Sequence, residues 1–191
     1  MIIDFRRSLQ ARPPLTIQGS AVERVDSYKY LGTTVSDSLD WSSNVTLLRK
    51  KCNQRMYFLR MMRKMHVDKT ILTLFYRSLI ESVATYNIIC YFGNATQKDK
   101  KKLDGTRRVA QRIIGSSLNA VSTLYEERVV AKVKRIMNDP THPLHTNYNY
   151  NRSGFRLCVP RSARVRTRQS FIQTPSIIMY NGMSRRPSVV L

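Results

Sequence analysis

The chain is short of acidic residues. Against 33 Lys and Arg there are only 12 Asp and Glu, which leaves a formal net charge of +21 over 191 residues. A compact protein with so large a charge repels itself, so we expect a polyanionic partner. Nucleic acid is the partner that this charge favours, because each Lys or Arg that neutralises a phosphate releases a condensed counterion. The composition therefore predicts phosphate-mediated binding that weakens as salt is raised.

Cysteine and long apolar runs are scarce as well. The cysteines are Cys52, Cys90 and Cys158. They are odd in number, far apart and form no Cys-x-x-Cys pair, so neither a disulfide framework nor a zinc knuckle is indicated. The longest apolar stretch, 71–92, is interrupted by Arg77 and Glu81, which are costly at a bilayer centre. With no signal-peptide pattern at the N-terminus, we expect an intracellular protein of the nucleus or cytoplasm, without a membrane partner.

A catalytic centre is also missing from the sequence. The adjacent carboxylates Glu126 and Glu127 are neighbours in a predicted helix, where their side chains point about 100° apart and do not share a metal. His66-Val67-Asp68 has the spacing of the His-x-Asp metal ligands of iron and 2-oxoglutarate dioxygenases, but Asp68 is better explained as the N-cap of a following helix. We expect no metal, no cofactor and no enzymatic activity of the chain on its own.

Hydrophobic periodicity divides the chain into three parts. Residues 1–37 are predicted to be extended, with 15–17 and 22–35 forming a small β-hairpin around Gln18-Gly19-Ser20. Residues 38–140 have apolar residues at three- and four-residue spacing. They predict a bundle of about four helices, from Asp40 to Lys64, from after Asp68 to Gly93, from about Thr96 to Ile114 and from about Val121 to Met137.

The remaining residues, 141–191, contain eight Arg, no Lys and no acidic residue, which predicts a weakly ordered basic tail. The predicted fold is therefore mainly α, with a small N-terminal β-hairpin, about four helices and a basic C-terminal tail. Aromatic residues such as Phe171 lie near the tail arginines, a combination that permits base stacking beside phosphate contact.

Cations cluster on two of the predicted helices. The first has Val45, Leu48, Cys52 and Met56 along one face and no acid between positions 41 and 64, so its other face is predicted to be wholly cationic. The candidate nucleic-acid-binding residues are Arg49, Lys50, Arg55, Arg60 and Arg63 on the first helix, Lys101, Arg107, Arg108 and Arg112 on the third, and Arg161, Arg164, Arg166 and Arg168 in the tail.

Several strings resemble one family in the same order along the chain. They are 28–35, which contains Tyr30-Leu31-Gly32, then 39–44, 54–60, 75–83, 110–115 and 139–145, followed by 153–156 and Ser170-Phe171. Together they resemble the segment that follows the palm in reverse transcriptases of LINE-type non-LTR retrotransposons. The resemblance implies a last palm hairpin in 1–37, a helical thumb in 38–140 and a basic extension in 141–191. It also implies that Tyr30 and Gly32 belong to the primer-grip hairpin.

That family carries out polymerisation with two metals held by clustered aspartates, in a Tyr-x-Asp-Asp turn that precedes these strings. The chain has no Asp-Asp pair. The resemblance therefore implies a fragment that binds RNA or an RNA/DNA duplex through phosphates and lacks the polymerase active site.

Two alternatives remain open. The string 50–60 is also similar to the helical N-terminal segment of the tRNA-modifying AlkB homologue, of the 2-oxoglutarate dioxygenase and tRNA methyltransferase family. This second resemblance implies an RNA-associated helical module, without the dioxygenase barrel or the glycine-rich cofactor loop. The other alternative is a mobile-element remnant with no function.

Overall fold

The computed structural model describes residues 1–3, 13–152, 157–158, 162, 164–175 and 178. The fold is mainly α with a small β region at the N-terminus, which confirms the predicted class. The strands are β1 (Thr16–Ile17), β2 (Ser20–Ala21), β3 (Ser27–Tyr30) and β4 (Thr33–Ser36). The helices are α1 (Ser42–Lys64), α2 (Lys69–Phe75), a π-helical turn (Tyr76–Glu81), α3 (Ser82–Ala84), α4 (Ile88–Tyr91), α5 (Gln97–Ile114), α6 (Val121–Met137), a 3-10 turn (His145–Asn147) and α7 (Val165–Arg168).

The β region contains two antiparallel hairpins. The predicted turn lies where expected, because Gln18 and Gly19 have positive φ and join β1 to β2. The prediction of one long second arm over 22–35 is wrong. The chain turns again at Leu31 and Gly32, with φ of 44° and 79°, so that β3 pairs with β4. Two successive residues with positive φ make the tight turn whose twist matches that of paired strands.

Helix α1 begins close to its predicted start. The N-cap position is Trp41, which makes no side-chain cap, while the Asp40 carboxylate accepts a hydrogen bond from the Ser42 amide at 3.2 Å. The helix buries the predicted line of apolar side chains, which are Val45, Leu48, Cys52, Met56 and Leu59. The next helix also begins as predicted, because the Asp68 carboxylate accepts from the Thr70 amide at 2.7 Å.

The prediction of one continuous helix from 69 to 93 is wrong. The chain widens into the π-helical turn at Tyr76, and the helix then breaks over 85–87, where Asn87 has a φ of 50°. The break is stabilised from outside the helix. The Tyr86 hydroxyl donates to the Leu31 carbonyl at 2.7 Å, and the Asn87 amide donates to the Thr33 hydroxyl at 2.9 Å. The β3–β4 hairpin thus supplies hydrogen-bond partners for the two side chains at the break.

Helices α1 and α5 pack side by side and run parallel. At one end the Ser42 hydroxyl donates to the Asp99 carboxylate at 2.7 Å, and Leu48 shares a core cluster with Leu103. At the other end Leu59 shares a second cluster with Ile114. Helix α5 has the predicted limits, with Thr96 as its cap and Gly115 in the left-handed conformation at its end. Helix α6 also spans the predicted residues.

The described part of the basic tail packs against α6. Tyr148 and Leu157 are buried in one cluster with Val133 and Ile136 of α6. The Tyr148 hydroxyl also donates to the Phe171 carbonyl at 3.0 Å. Apolar side chains spaced among the arginines thus attach this segment to the helices.

Candidate nucleic-acid interface

The cations predicted on α1 divide into two groups. Arg49, Lys50, Arg60 and Arg63 are exposed. Arg55 is half-buried, and its guanidinium donates to the Leu79 carbonyl in the π-helical turn. Arg55 therefore connects α1 to the neighbouring helix, whereas the other four are directed to solvent.

The outer face of α1 is not wholly cationic, and that prediction is wrong. Tyr57 and Phe58 are 58% and 57% exposed, and Leu47 and Met61 are exposed as well. The two rings contact each other edge to face, with centroids 5.5 Å apart and planes at 79°. A signal for them exists in the sequence, because Tyr57 and Phe58 directly follow the buried Met56 and so lie off the face that packs on the core.

Helix α5 uses one of its candidate residues internally. The Arg107 Nε donates to the Asp104 carboxylate at 2.7 Å, and the same guanidinium donates to the Gln111 side chain at 2.8 Å and to the Leu118 carbonyl at 3.2 Å. The hydrogen bond from Arg107 lowers the pKa of Asp104. We therefore give Arg107 a structural role in joining α5 to the loop before α6.

The other candidates of α5 are exposed. Lys101, Arg108 and Arg112 lie on the solvent side of the helix. Arg108 also pairs with Asp104, with its Nε 3.0 Å from the carboxylate. The helix therefore offers Lys101 and Arg112 without an acidic partner in the described chain, and Arg108 with one.

Near its start α5 holds a further ion pair. The Asp99 carboxylate is buried, which opposes its ionisation, but hydrogen bonds from Lys102, Ser42 and Thr96 outweigh burial and lower its pKa. Lys102 lies 2.8 Å from that carboxylate. Three side-chain ion pairs thus lie on α5, and within the described ranges no ion pair includes a cation of α1.

The hairpin residues Tyr30 and Gly32 have different surroundings. Tyr30 is 63% exposed at the end of β3. Gly32 has a φ of 79°, and a Cβ placed there would lie 3.1 Å from the Tyr86 ring. The Asn44 side chain also accepts from the Thr34 amide at 3.1 Å. Gly32 therefore permits the hairpin to dock on the helices, while Tyr30 is available for contact.

Of the tail arginines, Arg166 lies near the N-terminal end of α1. Arg161 is outside the described residues. Arg164, Arg166 and Arg168 are exposed at or in α7, and the Arg166 guanidinium donates to the Ser38 carbonyl at 3.0 Å. That hydrogen bond places α7 beside the loop that precedes α1.

Among the residues with a described placement, no group of three His, Cys, Asp or Glu is arranged to hold a metal ion. Asp68 of the His-x-Asp string is occupied as a helix cap, and its hydrogen bonds from Thr70 lower its pKa. No helix in the described ranges has the length and hydropathy to cross a membrane.

Comparison with known proteins gives one partial similarity. The family model described as "Alkylated DNA repair protein alkB homolog 8, N-terminal" matches residues 41–82. The matched segment comprises Trp41, all of α1, α2 and the π-helical turn, and the first residue of α3. No curated protein and no solved structure matches the chain. The match supports the AlkB-homologue resemblance of 50–60, and no comparison supports the reverse transcriptase resemblance.

Proposed function

We propose that this chain binds nucleic acid through its phosphates, without base specificity, and that the exposed face of α1 is the main contact surface. One observation carries the proposal. Helix α1 presents Arg49, Lys50 and Arg60 to solvent, contains no acid, and makes no ion pair with the rest of the described chain.

Because the cations of α1 have no acidic partners in the described chain, they should bind phosphate more tightly than paired cations do. A cation already paired with a carboxylate exchanges one anion for another when it binds phosphate, and so gains less. A cation in solvent replaces only water, and the nucleic acid releases its counterions. Lys101 and Arg112 of α5 add to the surface on the same basis, and Arg164 extends it towards the tail.

We further propose that the chain corresponds to the primer-grip hairpin and thumb of a LINE-type reverse transcriptase. The order of the strings from Tyr30-Leu31-Gly32 to 139–145 supports this parentage, as does a two-stranded hairpin packed against the break in the second helix. The proposal assigns no catalytic step to these residues. An in-frame Tyr-x-Asp-Asp string encoded just upstream of Met1 is the expected genomic result, and an unrelated upstream frame contradicts the parentage.

A second candidate is an RNA-associated helical module related to the AlkB homologue. The observation that favours it is the family match over 41–82, a segment joined internally by Arg55 and by the Cys52 thiol, which donates to the Ile80 carbonyl at 3.6 Å. Ligand preference separates the two candidates. Binding of transfer RNA in clear preference to an RNA/DNA primer-template duplex would support the second, and the reverse preference would support the first.

Salt titration of the full-length chain tests binding itself. Anisotropy of a labelled RNA/DNA duplex and of a labelled single strand is measured between about 50 and about 200 mM salt. About four phosphate contacts give a logarithmic slope near −3.6 for a duplex, which is a loss of roughly a hundredfold over that range. An affinity that does not change with salt would contradict the proposal.

A further inference from the structure

The exposed rings of α1 stand among cations. Tyr57 and Phe58 lie on the outer face in the second half of α1, and Lys50 and Lys64 lie seven residues before and after Tyr57. Seven residues are two turns, so each lysine is about 10.5 Å along the helix from the aromatic pair. An aromatic platform flanked by cations is the arrangement that single-strand binders use, with bases on the rings and phosphates on the charges.

We infer that the substrate class of this surface is single-stranded nucleic acid, with unpaired bases stacked on Tyr57 and Phe58. The inference rests on the proposed function and makes it more specific. The two rings meet edge to face and remain more than half exposed, so ring surface is open to an incoming base. Bases in a duplex are already stacked on their neighbours and do not offer their faces to a side chain.

A second copy of the chain is a poorer occupant. Two α1 helices brought face to face would place Lys50, Arg60 and Lys64 against the same cations of the other copy. Because α1 contains no acid, no exchange of ion pairs between the two helices offsets that repulsion.

A lipid surface also fits less well. The apolar part of the outer face is short, because Lys50 and Gln54 lie on successive turns between Leu47 and Tyr57 and leave only the stretch from Tyr57 to Met65 continuous. An interfacial helix buries an uninterrupted apolar face among the lipids. Individual rings between charges instead suit a chain of alternating bases and phosphates.

The test uses the full-length chain and a labelled single strand of about 16 nucleotides. In the variant Tyr57→Leu/Phe58→Leu, apolar bulk is kept and the rings are lost. We expect its affinity for the single strand to fall about tenfold to a hundredfold with an unchanged salt slope, because stacking is lost and phosphate contacts are kept. Affinity for the duplex should stay within about twofold.

Two variants serve as controls. Tyr57→Phe/Phe58→Tyr keeps both rings and should retain single-strand affinity. Ile71→Ala/Leu74→Ala removes exposed apolar side chains from α2 and should also retain it. Circular dichroism verifies that each variant keeps its helices.

The outcomes separate this inference from the proposed function. If the leucine variant binds the single strand as tightly as the parent, stacking is refuted while salt-dependent binding stands. If the parent binds neither nucleic acid in a salt-dependent way, the proposed function fails and the stacking inference fails with it. If the parent is a dimer that the leucine variant disrupts, or if it binds anionic vesicles and not the single strand, the assigned occupant is wrong.

Discussion

Helices α1 and α5 lie parallel in the same core, and both are rich in cations, but they differ in what those cations contact. On α5 the carboxylates of Asp99 and Asp104 pair with Lys102, Arg107 and Arg108. Helix α1 has no acid of its own, and apart from Arg55 its predicted binding residues are exposed. Several cations of α5 therefore stabilise the fold, whereas most cations of α1 are available to a ligand.

The two helices also differ in where their apolar residues lie. Those of α5 face the core, where Leu103, Ala110 and Ile114 are buried. Helix α1 has an equally buried line and, in addition, the exposed pair Tyr57 and Phe58. Burial of large apolar side chains stabilises a fold, whereas exposed rings do not contribute to that stability. Helix α1 therefore exposes cations and aromatic rings together, and the proposed nucleic-acid surface rests on these two features.

The largest effect is expected from removing the charge of α1. In Arg49→Gln/Lys50→Gln/Arg60→Gln we expect the logarithmic salt slope for a duplex to become shallower by about 2.7, because three phosphate contacts are lost. Affinity near 100 mM salt should fall by about a hundredfold or more. Anisotropy titrations at several salt concentrations measure both quantities.

The matched control removes the same charge from another helix. Lys132→Gln/Lys134→Gln/Arg135→Gln changes exposed residues of α6, so only the general attraction should weaken, with a smaller loss of affinity. Equal losses in the two triple variants would show that net charge, and not the surface of α1, determines binding.

A change of intermediate size, in the free energy of unfolding, is expected when Arg107 is replaced. Arg107 is the cation of α5 with the most internal partners. In Arg107→Ala the Gln111 side chain and the Leu118 carbonyl lose a charged donor, so the free energy of unfolding should fall by about 2 kcal/mol. Urea denaturation measures it. Arg112→Ala, at an exposed position, should change it by less than about 0.5 kcal/mol. If Arg107→Ala were as stable as the parent but bound nucleic acid more weakly, Arg107 would be a binding residue and not a structural one.

The smallest effect is a pH dependence of α5. The pKa of Asp104 is lowered in the folded chain, chiefly by the hydrogen bond from Arg107. Its pairing therefore stabilises the fold above the ordinary Asp pKa of about 3.9, and this contribution is lost as the pH falls through the lower folded value. Because the carboxylate is partly exposed, we expect less than about 1 kcal/mol.

Thermal denaturation between about pH 5 and pH 2.5 measures this effect. Asp104→Asn should be less stable than the parent near neutral pH and should lose less stability on acidification. Asp26→Asn, in an exposed segment between the hairpins, serves as the charge-matched control. Parallel acid curves for the parent and Asp104→Asn would contradict the role given to the pair.

Local signals in the sequence predicted much of the helical fold. Helix α6 is bounded by Asn138 and Pro140, α5 ends at Gly115, and Asp68 caps α2, so in each case a nearby residue marks the boundary. The break over 85–87 has no such marker. It depends on Tyr86 and Asn87 bonding to a hairpin more than fifty positions earlier, a contact that periodicity does not encode.

The candidate site was predicted less completely for a related reason. Counting cations on a helix face does not reveal which of them are used inside the fold, and Arg55 and Arg107 are such residues. The exposed pair Tyr57 and Phe58 is not among the predicted site residues, because the pattern of α1 predicts its apolar residues on one buried face. Helical position indicates that Tyr57 and Phe58 lie off the buried face, but the exposed fraction of each side chain also depends on which elements pack around it.

Ultraviolet cross-linking with peptide mapping tests the central claim most directly. The full-length chain is irradiated with a single-stranded oligonucleotide, digested, and the cross-linked residues are identified by mass spectrometry. We expect cross-links to concentrate in α1, at Tyr57 and Phe58, and to be lost in Tyr57→Leu/Phe58→Leu. Cross-links confined to α6 or to the β3–β4 hairpin, with none in α1, would contradict it.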